Sequence, residues 1–83
     1  RDDIGSEMIR TARQILKDCI FANGYKSSER QKFQISARNN ISYLAFLTRT
    51  SYNKQWISEK QHDRILRYAL DINTRIYNWI KTN

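Results

Sequence analysis

The segment from Ser58 to Lys81 constrains the fold most, because its apolar residues recur at alternating spacings of four and three. This spacing places them on one side of a helix, and such a helix needs neighbouring helices to cover that side. Ser58 and Gln61 stand in the S-x-x-Q relation of a capping box, in which both side chains bond backbone N–H groups at a helix N-terminus. We therefore predict a helix over residues 58–81. Its expected core residues are Ile65, Ala69, Ile72, Ile76 and Trp79.

Two further helices are predicted over residues 6–23 and 28–51. The chain has no proline and two glycines, a balance that favours long helices over a sheet. The expected core residues of the first helix are Met8, Ala12, Ile15, Cys19 and Ala22, widened by Ile9, Leu16 and Ile20. Those of the second are Phe33, Ala37, Ile41, Leu44 and Leu47.

Three residues are expected to set the ends of these two helices. Ser6 is predicted as the N-cap of the first helix, and Ser28, with Ser27 as the alternative, as the N-cap of the second. Gly24 is expected to supply the left-handed residue that ends the first helix. The resulting fold class is all-α, an antiparallel helical bundle that forms one domain over residues 1–83.

The second and third helices each carry a second apolar side, which exceeds what a three-helix core needs. Either a fourth helix before Arg1 or another subunit is expected to cover this surplus. The residues predicted for this interface are Ile35, Tyr43, Phe46, Leu66, Leu70 and Tyr77.

The net charge of +7 is segregated, because residues 26–57 hold six Lys and Arg against Glu29 alone and so carry +5 of it. An excess of this kind attracts nucleic acid or an acidic surface. The alternative is that the charges only keep the helix surface solvated. Segregation of the positive charge favours the binding of nucleic acid. The guanidinium group of Arg is also well suited to bind phosphate oxygens. The predicted contact residues are Arg10, Arg13, Lys17, Lys26, Arg30, Lys32, Arg38, Arg49, Arg64 and Arg67.

Catalytic and metal chemistry have few residues to draw on. His62 is the only histidine and borders the core stripe, so we expect it to pack or cap rather than act as a general base. A zinc site usually takes three or four protein ligands, and Cys19 is the only cysteine. The expectation is a protein that is not an enzyme and needs no cofactor. A lone cysteine and the lack of a membrane-length apolar run also suit the cytoplasm.

Several segments together resemble a known family. They are Gly5-Ser6-Glu7-Met8 opening a helix, Arg49 near the end of the next, Ile57-Ser58-Glu59-Lys60-Gln61 at the following cap, and Trp79-Ile80-Lys81. In these positions the chain resembles, over nearly its whole length, a bacterial four-helix-bundle family. That family includes the accessory variability determinant of diversity-generating retroelements and is related to proteins encoded in ribosomal-RNA intervening sequences.

The resemblance implies a four-helix bundle whose first helix would precede Arg1, assembled as a ring-like homopentamer with a basic surface. It implies a bacterial or phage protein with no catalytic site, which binds RNA or DNA and a reverse transcriptase during mutagenic cDNA synthesis. Arg49 matches the arginine that the family usually has on its middle helix. The chain departs from the family at Asn78 and at Asn73-Thr74, where glycine and Gly-Arg are typical. The alternative is an interaction bundle of the intervening-sequence type that docks an acidic partner.

Overall fold

The computed structural model describes residues 2–83 and folds them into three α-helices. Helix α1 spans Asp2–Gly24, α2 spans Ser27–Asn53 and α3 spans Glu59–Lys81. The side-chain contacts run in opposite chain directions across each helix pair, which makes neighbouring helices antiparallel. The all-α prediction is confirmed for this part of the chain, which contains no strand. No helix among these residues is both long and apolar enough to cross a membrane.

The start of α3 confirms the predicted capping box. The Ser58 hydroxyl accepts a hydrogen bond from the Gln61 backbone N–H at 3.1 Å, and the Ser58 N–H donates to the Gln61 Oε1 at 2.9 Å. The other two predicted caps are wrong. Helix α1 already begins at Asp2 and runs through Ser6, since a single glycine at position 5 weakens a helix without ending it. Helix α2 takes Lys26 as its N-cap, with no side-chain bond, and Ser28 lies inside its first turn.

Helix α1 ends without the left-handed glycine that was predicted, because Gly24 keeps a negative φ. An arginine from the next helix satisfies the free carbonyls instead. The Arg30 Nε donates to the backbone oxygen of Ala22 at 3.0 Å and to that of Tyr25 at 2.8 Å. A cation at this position also opposes the negative end of the α1 dipole.

The left-handed helix end occurs at α2, on a residue other than glycine. Gln55 has a φ of 63°, and its N–H donates to the Tyr52 oxygen at 2.9 Å. The Trp56 N–H donates to the Ser51 oxygen at 2.9 Å. These two bonds form a Schellman motif, which turns the chain into the short link before α3.

The core joins one side of each helix. Buried apolar residues from all three helices pack together, namely Ile15, Ala37, Ile41, Ala69 and Ile76, with Cys19, Leu44 and Ile80 against them. All eight except Ile80 were predicted to be core residues. Leu47 and Ala22, also predicted for the core, are buried as well.

The predicted widening of the α1 core is wrong. Ile9, Leu16 and Ile20 are 56%, 61% and 59% exposed. Ala12 and Ile72, which were also expected in the core, are exposed too. The cause is the arrangement of the helices: no Cα of α1 lies within 8 Å of a Cα of α3. Helix α2 lies between the other two, the Cα atoms span 42 × 21 × 13 Å, and α1 therefore buries only a narrow stripe.

Candidate nucleic-acid interface

The predicted basic residues lie on separate surfaces, because α1 and α3 flank α2 on different sides. One surface belongs to α1, a second lies along the N-terminal half of α3, and a third lies between α2 and α3. The structure thus does not bring all ten predicted contact residues together. Each surface has to be judged by the charges and donors that line it.

The α1 surface carries Arg10, Arg13 and Lys17, all exposed. Arg10 forms an ion pair with Glu7 at 2.6 Å, which partly neutralises it. Arg13 lines a shallow hollow with Arg10, Ser6 and the exposed Ile9. This surface combines charge with uncovered apolar side chains.

The α3 surface contains Arg64 and Arg67 in a wide hollow with Lys60 and Tyr68. Two acids, Glu59 and Asp63, line the same hollow and offset most of its positive charge. Phosphate binding is therefore weaker on this surface than the count of arginines suggests.

Two adjoining hollows between α2 and α3 form a continuous surface, because both include Ser42 and Asn73. We call it the α2–α3 groove. Arg38 lies in one hollow and Arg49 in the other, so these two predicted contact residues share one surface. No acid lines the groove. Its remaining lining residues are Ile35, Asn39, Ile41, Ala45, Leu66, Ala69 and Leu70.

Arg38 is half-buried and held in place from α3. Its Nε donates to the Asn73 Oδ1 at 3.1 Å, and its guanidinium carbon lies 5.2 Å from the centre of the Tyr77 ring. Both contacts fix a long side chain before any ligand arrives. The Nη groups of Arg38 make no hydrogen bond within residues 2–83, so they keep their donors for a ligand.

Arg49 differs from Arg38 in being exposed. It makes neither a hydrogen bond nor an ion pair within the described chain. Since it lines the groove beside Leu66 and Leu70, it presents an unneutralised charge over a partly apolar floor. The groove therefore has a fixed arginine at one end and an unpaired one at the other.

Arg30, Lys26 and Lys32 lie outside the groove lining. Arg30 is committed to the end of α1, and its guanidinium carbon also lies 5.7 Å from the centre of the Trp79 ring. Lys26 and Lys32 are exposed near it and extend the basic region of α2. The sequence could not distinguish a basic residue that stabilises a helix end from one that is available to a ligand, because both roles use the same side chains.

The residues predicted for an oligomer or missing-helix interface are largely uncovered by the three helices. Ile35, Tyr43, Phe46, Leu70 and Tyr77 are exposed, and Leu66 is half-buried. The Tyr43 hydroxyl donates to the Glu7 Oε2 at 2.9 Å, and this bond raises the pKa of Tyr43 above its ordinary range. Tyr43 thus already connects α2 to α1, whereas the other five have no such polar link.

Asp18, the most buried acid among the residues whose burial is described, was not predicted from the sequence. Asp18 is 3% exposed and accepts hydrogen bonds from Gln14 at 2.9 Å, Ser36 at 2.7 Å and Asn40 at 3.4 Å. Burial, followed by the charge of Asp18, raises the pKa of the neighbouring Cys19 thiol. The signal was present in the sequence, since Asp18 falls three residues after Ile15 and four before Ala22, on the buried side of α1.

His62 lies in the first turn of α3, where its ring faces the end of α2. Its Nδ1 is 2.9 Å from the Asp63 carboxylate, and its ring centre is 4.5 Å from that of Tyr52. Within residues 2–83, no three His, Cys, Asp or Glu side chains come together as metal ligands. His62 therefore packs the end of the α2–α3 pair, as predicted.

Comparison with known proteins identifies no relative. No protein-family model matches the chain, and neither a curated protein nor a solved structure matches it.

Proposed function

We propose that this protein is a non-enzymatic nucleic-acid-binding subunit that holds phosphates in the α2–α3 groove. The observation that carries the proposal is the groove itself, which joins Arg38 and Arg49 on one surface and has no acid in its lining. The surrounding segment, residues 26–57, carries +5 of the net +7. An unneutralised basic surface of this kind binds the phosphate backbone regardless of base sequence.

The spacing of the two arginines suits a nucleic-acid strand. They are three helical turns apart on α2, or about 16 Å along its axis. One strand of a duplex carries about five phosphates over that length. Arg38 and Arg49 would then contact separate phosphates of one molecule, with Asn39 and Ser42 between them as neutral donors.

The family resemblance supplies the biological setting of the proposal. We propose an accessory subunit of a reverse transcriptase in a diversity-generating retroelement, acting in the cytoplasm as a homo-oligomer. A fourth helix or a second copy would cover apolar side chains outside the groove, such as Phe46, which α1, α2 and α3 leave exposed. The uncovered surface supports an additional partner.

The test is binding of a labelled structured RNA and a matched duplex DNA across a salt series. Wild-type affinity should fall steeply with salt, by roughly 0.7 to 0.9 log unit per phosphate contact for each tenfold rise. Arg49→Glu should weaken binding and lower the slope by about one contact. Arg75→Glu is the matched control, because it makes the same charge change at an exposed residue already paired with Asp71. Equal effects of the two substitutions would contradict the proposal.

A second candidate is an interaction module for an acidic protein, favoured by the α1 surface. There the exposed Ile9, Leu16 and Ile20 lie on the same helix as Arg13 and Lys17, which suits a partner helix with apolar and acidic residues. This candidate predicts nucleic-acid binding no stronger than that of a neutral helical protein. It also predicts that Arg13→Glu, and not Arg49→Glu, abolishes capture of the partner.

A further inference from the structure

Tyr77 is the one aromatic ring of residues 2–83 that two cations approach. The Lys81 Nζ lies 4.5 Å from the ring centre, and the Arg38 guanidinium carbon lies 5.2 Å from it. Both distances fall within the range of cation–π attraction. Tyr77 as a whole stays 46% exposed, so the two cations leave much of the residue open to solvent.

The two cations lie close together without a neutralising acid. Their distances to one ring centre place them within about 10 Å of each other, which is about one Debye length at 0.1 M salt. Neither forms an ion pair with a carboxylate in the described chain. Two like charges at this separation repel, and an anion bound between them relieves the repulsion.

The donors at this position are free and partly pre-oriented. The Arg38 Nε is occupied by Asn73, while its Nη groups remain without a partner. The Lys81 ammonium makes no hydrogen bond within residues 2–83. A phosphate oxygen accepts from guanidinium and ammonium groups together, and a guanidinium already fixed by Asn73 loses little freedom on binding.

Neutral polar side chains and an aromatic ring near Arg38 could contact the sugar and the base of a nucleotide. Arg38 shares its hollow with Asn39, Ser42 and Asn73, whose amide and hydroxyl groups both donate and accept hydrogen bonds. A base stacks on an aromatic ring such as Tyr77 only when it is unpaired. The flexible stem of Lys81 lets its ammonium move from the ring to the phosphate as the base arrives.

We propose that this end of the α2–α3 groove binds one unpaired nucleotide, with its phosphate between Arg38 and Lys81 and its base on Tyr77. The inference rests on the proposed nucleic-acid function and adds to it a preference for single-stranded nucleic acid. It gives Tyr77 a ligand-binding role in place of the interface role predicted from the sequence.

The experiment measures fluorescence anisotropy with a labelled oligothymidylate of about 12 nucleotides and with a duplex of the same length. Tyr77→Ala should weaken single-strand binding roughly 5- to 100-fold, the range for loss of one base–aromatic stack. Duplex binding should fall far less, because a duplex offers no unpaired base and loses only the support that Tyr77 gives to Arg38. Tyr77→Phe keeps the ring and should bind like the wild type. Tyr68→Ala is the matched control, since Tyr68 is on the same helix and 63% exposed.

Lys81→Gln provides an independent measurement at an exposed helix end, where folding is little affected. It should lower the salt slope for the single strand by about 0.7, the loss of one phosphate contact. An unchanged slope, or a Tyr77→Ala effect that is equal for single strand and duplex, would overturn the nucleotide site alone. Wild-type binding no stronger than that of a neutral helical protein would overturn the proposed function as well.

Discussion

The two helix pairs of this protein bury opposite kinds of charge. Between α1 and α2, the carboxylate of Asp18 is enclosed and receives hydrogen bonds from neutral donors, Ser36 and Asn40 among them. Between α2 and α3, Arg38 is only half-buried and keeps donors free at the edge of an open groove. The polar groups of the first pair bond to each other, and Arg38 of the second keeps donors free at the open groove.

This difference separates residues that hold the fold from residues available for binding. An enclosed carboxylate with its acceptors satisfied fixes how α1 and α2 align, because any sliding would leave a buried charge unpaired. The exposed residues of the groove, such as Asn39, Ser42 and Arg49, tolerate change, since their side chains face water when nothing is bound. Substitutions on the two sides of α2 should therefore affect different measurements.

The largest effect is expected at the α1–α2 pair. Asp18→Ala leaves the Ser36 hydroxyl and an Asn40 donor without their acceptor and should lower the free energy of unfolding by about 3 kcal/mol. Urea denaturation followed by circular dichroism measures it. The double substitution with Ser36→Ala should lose less than the sum of the two single losses, by about 1 kcal/mol. Strict additivity would mean that the Asp18–Ser36 bond does not hold the pair together.

A smaller loss is expected for the arginine that caps α1. Arg30→Ala removes the Nε–H that two backbone carbonyls share and should destabilise the protein by about 1–2 kcal/mol. Arg49→Ala, its matched control on the same helix, should change stability by less than about 0.5 kcal/mol. If the two substitutions alter thermal unfolding equally, then Arg30 has no special role at the helix end.

The turn after α2 offers a gain in stability. Gln55 adopts a left-handed conformation that strains residues with a side chain, so Gln55→Gly should raise the free energy of unfolding by about 0.5–1 kcal/mol. Lys54→Gly serves as control, because Lys54 has a negative φ of −85° and should lose stability. A loss at both positions would argue against the left-handed Gln55.

The smallest effect concerns the titration of Cys19. Burial and the nearby Asp18 raise the pKa of its thiol, so the folded protein favours the protonated form. The resulting stabilisation is full below the ordinary thiol pKa and is lost as the pH rises through the higher folded value. Alkylation of Cys19 should accordingly need a higher pH than alkylation of a free thiol, and Asp18→Asn should reduce that difference. A pH–rate profile identical to that of a free thiol would contradict this.

Local signals in the sequence predicted much of the fold. The capping box at Ser58 and Gln61 involves residues three apart, and the stripes through Ile41 and Ile76 follow from helical period alone. The α1 core was predicted too wide, because the burial of Leu16 depends on how many helices contact α1. That number is a property of the assembled chain.

The groove was predicted only in part. The sequence indicated Arg38 and Arg49 through charge segregation. It did not indicate Asn73, which lies 35 residues after Arg38 and accepts a hydrogen bond from it. Uncharged polar side chains of this kind carry no signal in composition. Likewise, Tyr77 was recognised as surplus apolar surface, and only its distances to Arg38 and Lys81 indicate a binding role.

The most direct test of the proposed nucleic-acid surface is an amide NMR titration. The ¹⁵N-labelled protein is titrated with an unlabelled oligothymidylate of the same length as the one used for anisotropy. We expect shift changes to concentrate on the α2–α3 groove, at Asn39, Ser42 and Asn73, and to extend to Tyr77. Residues of the basic α1 surface, such as Arg13, should remain unchanged. Shift changes centred on α1, with the groove unaffected, would contradict the central claim that the open side of α2 is the nucleic-acid surface.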